Sequence, residues 1–335
     1  MRKLPVRASF LCLMTLVLSL STGCGGGGSD DCGFLEICWR QPPPPPTTPP
    51  PPTQLSIFDV GQTDSGDYEF SDLQARVYGG VRQVPLPISA GTVEVRSGSQ
   101  GDGITIIPSP DFPKTVYQSS RVNHGSSSID DSEGGETDFW VSQYPTIRRE
   151  FLLVNTDNGG TQLDYTTFGI WEDSYDVGYQ RGITSTSSIF GFSTLVQDIP
   201  TTGAARYVGV TRASYFERGH FYTNRVKGAA EVEVNFSNNS VVTRLRDMFL
   251  GDQPFRDVTG IGTIERATYR NFNGEIVGGF SGSIATEPAE VGQAGRDMTG
   301  TFAGKFFGPG AEEVGGVFEM GSPDASMVGG FVGKK

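Results

Sequence analysis

The sequence predicts an all-β protein: a small irregular β-sheet domain followed by an eight-stranded antiparallel soluble β-barrel. Three observations carry this. Beyond position 54 the apolar residues come in short runs bounded by Gly, Pro, Ser, Asn and Asp, and no window sustains a 3.6-residue period. Two of these runs alternate a large side chain with none at all. Met298, Gly300, Phe302, Gly304 and Phe306 share one side of a strand, as do Ile276, Gly278, Phe280, Gly282 and Ile284. Small barrels fill their interiors this way, bulky residues beside empty neighbours. Finally, turn chemistry at Asn271-Phe272-Asn273-Gly274 and Ser237-Asn238-Asn239-Ser240 separates such runs, as antiparallel hairpins require.

The chain opens with Arg2, Lys3 and Arg7, an apolar run at 10–20, and the small residues Ser21, Thr22 and Gly23. That is the layout of a secretory signal peptide over residues 1–23, its apolar part too short to span a membrane. Small residues leading into Cys24, followed by Gly25 to Gly28, resemble the lipobox of bacterial lipoproteins, although Ser21 stands where Leu is usual. The resemblance implies that Cys24 is lipidated and attaches the protein to membrane lipid. Residues 24–53 then read as tether and stalk: 42–52 is proline broken only by Thr47 and Thr48, which extends by ~3 Å per residue. Cys32 and Cys38 remain. In an oxidising compartment they can close a small loop as a disulfide, and their spacing matches no metal site.

Loss of the signal takes the formal charge from −12 to −15, because Arg2, Lys3 and Arg7 leave with it. So acidic a surface repels nucleic acid and favours solubility. Residues 54–160 form the smaller sheet domain, with candidate strands at 92–96, 103–107, 115–122 and 149–154 and a polar loop at 125–137. Residues 161–335 form the barrel, with ten candidate runs from 163–171 to 327–331, two more than the barrel needs. Within it Glu231-Val232-Glu233-Val234-Asn235-Phe236 alternates wet with apolar. A membrane barrel needs an apolar outer band, whereas Thr299, Thr301, Ala303, Lys305, Glu231, Glu233 and Asn235 are the outward residues here.

No catalytic or metal-binding set emerges, and no cofactor is expected. Glu312 and Glu313 are adjacent carboxylates in a turn, where neighbours point apart into water. His124 and His220 stand without a cysteine or carboxylate pattern. Gly279-Phe280-Ser281-Gly282-Ser283 lacks the second glycine of a nucleophile elbow. Neither residues 155–159 nor the acidic run 130–138 has the bidentate Glu of a calcium loop. Binding would then fall on loops held by a rigid scaffold. Trp171, Tyr175 and Tyr179 form one aromatic group, and Tyr215, Phe216, Phe221 and Tyr222 a second, in a stretch bounded by Arg212 and Arg225. Exposed aromatics and Arg anchor interfaces; core packing is the competing reading for the same residues.

Residues 300–318, Gly-Thr-Phe-Ala-Gly-Lys-Phe-Phe-Gly-Pro-Gly-Ala-Glu-Glu-Val-Gly-Gly-Val-Phe, resemble the closing segment of the transferrin-binding protein B-like surface lipoproteins. Residues 165–172, Tyr-Thr-Thr-Phe-Gly-Ile-Trp-Glu, are similar to that family's first barrel strand, and residues 199–209 agree as well. The resemblance implies a handle domain and an eight-stranded barrel, one of each where the best-known member has two. It implies an outer-membrane lipoprotein, on the cell surface or the periplasmic face, that is not an enzyme. Such proteins capture a protein or haem-type ligand for iron acquisition and hand it to an outer-membrane receptor. A structural or adhesion lipoprotein with no nutrient ligand is the alternative.

Overall fold

The structure, a computed structural model, describes the backbone of residues 67–79, 84–96, 103–107, 115–118, 136–144, 147–154, 163–177, 180–220, 223–271 and 273–335. The signal peptide, Cys24, Cys32, Cys38 and the proline stalk lie outside the described residues. Among the described residues no helix is long and apolar enough to cross a membrane. Strands dominate, as the short-run pattern predicts.

The first sheet contains β1 (Asp67–Gly79), β2 (Val84–Arg96), β3 (Gly103–Ile107), β4 (Thr115–Gln118), β5 (Glu136–Tyr144), β6 (Ile147–Val154), β7 (Thr166–Val177) and β8 (Gln180–Gly191). Their order is β4-β3-β2-β1-β8-β7-β6-β5, all antiparallel. The second sheet contains β9 (Ala204–Glu217), β10 (Asn224–Asn235), β11 (Ser240–Leu250), the two-residue β12 (Gln253–Pro254), β13 (Val258–Arg270), β14 (Ile276–Thr286), β15 (Thr299–Phe307), β16 (Glu313–Gly321) and β17 (Ala325–Lys334). It closes on itself: β17 pairs with β9, and β10 with both β9 and β11. Leaving β12 aside, this is the expected eight-stranded up-and-down barrel.

One strand sits elsewhere than its resemblance implies. The run at 163–171, similar to a first barrel strand, becomes part of β7 and pairs with β6 and β8 in the first sheet. The barrel strands begin at Ala204. Alternation could not have separated the two placements, because Phe168 and Ile170 on one face and Trp171 on the other are all buried. A strand covered on both faces reads the same wherever it pairs.

Inside the barrel the alternation of large residues with glycine resolves into direct contacts. Phe280 lies opposite Gly304, Phe302 opposite Gly282, Phe331 opposite Gly316 and Phe318 opposite Gly329. A Cβ on Gly304 would stand 2.3 Å from the Phe280 ring, and one on Gly316 2.2 Å from the Phe331 ring. Each ring therefore occupies the volume its neighbour leaves empty. Phe280 is central, with ring centroids 5.4 Å from Phe306, 6.2 Å from Phe302 and 6.5 Å from Phe331. One barrel mouth is filled by Phe236 against Phe306 at 5.8 Å, the other by Phe255 in an edge contact with Tyr215 at 5.1 Å.

The first sheet covers one side of the barrel's outer wall. Ala75, Phe168, Ile170, Ile183 and Ile189 pack against Phe216, Ala303, Phe307, Val317, Val328 and Val332. This explains a further departure from expectation. Lys305 faces outward from β15 as its spacing requires, yet it is only 2 % exposed, since that part of the wall lies under the first sheet.

The ring-on-glycine contact predicts a specific mutational pattern. Gly316→Ala forces its methyl into the Phe331 ring and should lower stability by about 1–3 kcal/mol in urea unfolding. Adding Phe331→Leu should recover part of that loss, a non-additivity that two independent sites would not show.

Candidate functional site

Connections 236–239, 271–275 and 308–312 gather at one end of the barrel, together with the entry from the first sheet. This is the near end. Connections 218–223, 251–257, 287–298 and 322–324 gather at the other, the far rim.

At the near end the carboxylate of Glu313, fully buried, accepts three successive backbone hydrogen bonds. The Asp164 N–H donates to Oε1 at 2.6 Å, and those of Tyr165 and Thr166 to Oε2 at 2.9 and 3.0 Å. Lys334 Nζ lies 2.6 Å from Asp164 Oδ2 and 3.9 Å from Glu313 Oε1. Burial pushes the Glu313 carboxyl above its ordinary range, while the amides and Lys334 pull it back. The same turn is tied in elsewhere: Gly308 N–H donates to Phe192 O at 2.9 Å, Thr194 Oγ1 to Gly308 O at 2.6 Å, and Tyr207 OH to Ala311 O at 2.8 Å. Gly308 has φ +74°, and a Cβ there would meet the Tyr165 ring at 2.3 Å, so only glycine fits. Glu313 is thus a structural clamp. The expectation that it points into water fails because its turn is roofed by the start of β7.

Towards the far rim the arrangement is reversed. Glu172, 4 % exposed on β7, accepts from Ser214 Oγ at 2.5 Å and Thr223 Oγ1 at 2.7 Å, with Arg225 Nη2 at 3.7 Å. A residue of the first sheet is thereby fixed to β9 and to the threshold of β10. β7 and the last residue of the β9–β10 connection meet at this point. Further round, Arg256 is buried, its Nε and Nη2 donating to the Glu287 carbonyl, the former at 2.8 Å, and its Nη1 lying 2.6 Å from Asp297 Oδ1. One guanidinium so holds both ends of the 287–298 connection, whose tip presents Val291 fully exposed.

The aromatics singled out from the sequence divide sharply. Trp171 is 6 % exposed on the face of β7 turned from the barrel. Tyr215 lies inside the barrel, its OH donating to Glu217 Oε1 at 3.1 Å, and Phe216 is buried between barrel and first sheet. These three are packing residues, because each sits on a strand rather than on the connection beyond it. Tyr175 sits on β7 between Ile147 and Gly182, its side chain outside the described residues. Tyr179, Phe221, Tyr222 and His124 are likewise outside the described residues. His220 is exposed on the far rim, Nδ1 3.9 Å from Glu217 Oε2. No cluster of His, Cys, Asp and Glu able to hold a metal occurs among the described residues.

The family model for the C-lobe and N-lobe β-barrels of transferrin-binding protein B matches residues 199–335. Over these residues the chain is similar to the barrels of that protein. The match begins just before β9, where the closed sheet itself begins. Transferrin-binding protein B of Haemophilus influenzae (strain 86-028NP) is 25% identical over 198 residues, which is 56% of this chain and 29% of that relative. The chain therefore spans under a third of its curated relative's length. Among solved structures, a mutant transferrin-binding protein B from Haemophilus parasuis Hp5 aligns at 15% identity over 79% of this chain and 44% of its own, with a TM-score of 0.45. Isotype 1 transferrin-binding protein B from serogroup B Neisseria meningitidis gives 17% identity, 78% and 43% coverage and a TM-score of 0.42. The N-lobe domain of lactoferrin binding protein B of Moraxella bovis gives 10% identity, 78% and 98% coverage and a TM-score of 0.29.

Two substitutions test the electrostatics of the barrel and its joint. Glu313→Gln replaces one acceptor oxygen with an NH2 group facing N–H donors, and should lower stability by about 1–3 kcal/mol in chemical unfolding. Glu319, on the outer wall of β16, accepts from Thr301 Oγ1 at 2.8 Å, and burial raises its carboxyl above the ordinary value. A carboxyl raised on folding favours the folded state most below its unfolded value, and that contribution is lost as pH rises through its folded value. Glu319→Gln should therefore flatten the fall in stability on the acid side of neutrality and leave the most acidic points unchanged.

Proposed function

We propose that this chain is a lipid-anchored surface protein that captures an extracellular iron-carrying protein, of transferrin type, and presents it to an outer-membrane receptor. The observation that carries this reading is the barrel match over residues 199–335, joined to a curated relative named for transferrin binding. Cys24 supplies the lipid anchor. The working surface is the far rim, and the chain acts by binding, with no chemical step of its own.

The geometry supports a protein ligand over a haem-type one. The barrel interior is packed with phenylalanine rings and both mouths are filled by aromatics, so a partner has only the outside to use. β1 starts at the near end, because Leu73 is level with Ile189 and Phe168 while Asp67 lies further towards the Glu313 side. The described chain therefore enters the first sheet at that end. Towards the far rim Glu172 joins β7 to the β9–β10 connection; by sequence Tyr175 and Tyr179 belong to the β7–β8 hairpin, and Phe221 and Tyr222 to that connection. Aromatics are the usual anchors of protein interfaces.

Biolayer interferometry of the mature chain against immobilised transferrin and lactoferrin should show saturable binding. Alanine at Tyr175, Tyr179, Phe221 and Tyr222 together should weaken it by at least about tenfold, with unfolding unchanged. If neither carrier binds and an absorbance titration shows haem binding instead, the protein-capture reading fails. If neither carrier nor haem binds, the structural or adhesion reading replaces it.

A further inference from the structure

The first sheet follows the winding rule of the barrel. In the barrel each strand pairs with its neighbours in the chain, β12 aside, and the first pairs with the last. In the first sheet the same holds everywhere except between β4 and β5. Both faces of its central strands are buried. Strands β1, β7 and β8 bury Ala75, Phe168, Ile170, Ile183 and Ile189 against the barrel, yet Gln74, Thr167, Trp171, Thr186, Ser188 and Phe190, on the opposite face, are buried too. A flat sheet with one face on the barrel would leave the second face wet. Here the second face of β1, β7 and β8 is covered as well, and the strand order stops one pairing short of closure.

Among the described residues nothing pairs with the outer edge of β4 or of β5. An unpaired edge offers a row of N–H and C=O groups to any extended chain, and proteins blunt such edges with short strands, Pro or Lys. β4 is short, four residues. β5 is not: it runs nine residues, Glu-Thr-Asp-Phe-Trp-Val-Ser-Gln-Tyr, with no Pro, Lys or Arg. At its spacing that edge is about 30 Å long, enough to register a peptide of similar length.

We propose that the edge of β5 is a strand-addition site for an extended, basic segment of a protein partner. Backbone pairing supplies the docking, and charge selects the partner. Residues 54–191 hold 19 acidic against 8 basic residues, whereas residues 192–335 hold 16 against 14, so the negative charge of the chain is concentrated in the half that carries this edge. Glu136 and Asp138 lie on β5 itself, and on β6 Glu150 stands opposite Trp140, with Arg149 and Arg148 opposite Val141 and Ser142, so the acidic end of the edge is its first half. Acidic segments are repelled from such an edge and basic ones are drawn to it. The site is separate from the far rim, and neither depends on the other.

The test is hydrogen exchange on the full mature chain, with a synthetic nine-residue peptide of alternating valine and lysine as probe. Saturable binding with slowed exchange in residues 136–144 is expected. Peptides with glutamate in place of lysine, or with a central proline, should bind about tenfold more weakly or worse. Successive N–H groups of a strand point to opposite edges, so Trp140→Pro and Val141→Pro separate the roles. The variant that loses an outward N–H should keep its melting temperature and lose the peptide, while the other loses a bond to β6 and stability with it. Binding without protection at 136–144, or equal binding of the glutamate peptide, overturns the proposal. So does finding the amides of β4 and β5 already protected in the free chain, since the two edges would then be closed on each other.

Discussion

The barrel depends on aromatic rings lying where a neighbouring strand has no side chain. Phe280 over Gly304 and Phe331 over Gly316 are shape contacts, and they act as a register lock. A slip of one residue turns every ring outwards and brings a glycine opposite another outward position. The interdigitation also fills the middle of the barrel with rings. Recognition is then expected on the surfaces, where connections can vary without disturbing the lock.

The joint between the two sheets follows a different principle. It is made by carboxylates placed reciprocally at the two ends of one stretch of β7. Glu313, of the barrel, takes backbone donors that would otherwise be unpaired at the entrance to that strand, while Glu172, of the first sheet, takes hydroxyls of the barrel. Between them Phe168 and Ile170 lie on the outer wall. A buried carboxylate is tolerated only when its lone pairs are used, and Glu313 meets that condition by binding backbone, whose donors no point mutation other than to proline can remove.

Much of this was legible beforehand. Fold class, the closing strands and the inward residues of β14 and β15 follow from period-two alternation with glycine, a signal local to each strand. What the alternation could not show is which sheet a strand joins. Phe168, Ile170 and Trp171 are buried on both faces, so β7 carries no mark of its partner strands. The same limit hid Lys305, whose outward position was correct but whose burial depends on a sheet far away in the chain. The site was less legible than the fold. Trp171, Tyr215 and Phe216 looked like interface anchors by composition, and each proved to be packing. Glu172 and Glu313 were visible as letters without their roles, because a carboxylate acquires a role only from donors contributed by another segment. The glycine at 308, next to a proline and a second glycine, was the one local hint of a close approach there.

The position of β1 has a mechanical consequence. It lies in the interior of its sheet, hydrogen-bonded to β2 on one side and β8 on the other, and the chain enters it at the near end. A pull between that entry point and the far rim runs along the strand, and the ladder bonds lie across it. Both ladders are then loaded in shear, all their bonds together, rather than peeled one by one. β8 passes the load to β7, and the two carboxylate clamps pass it to the barrel. A force applied along this line meets the fold where its hydrogen bonds act together.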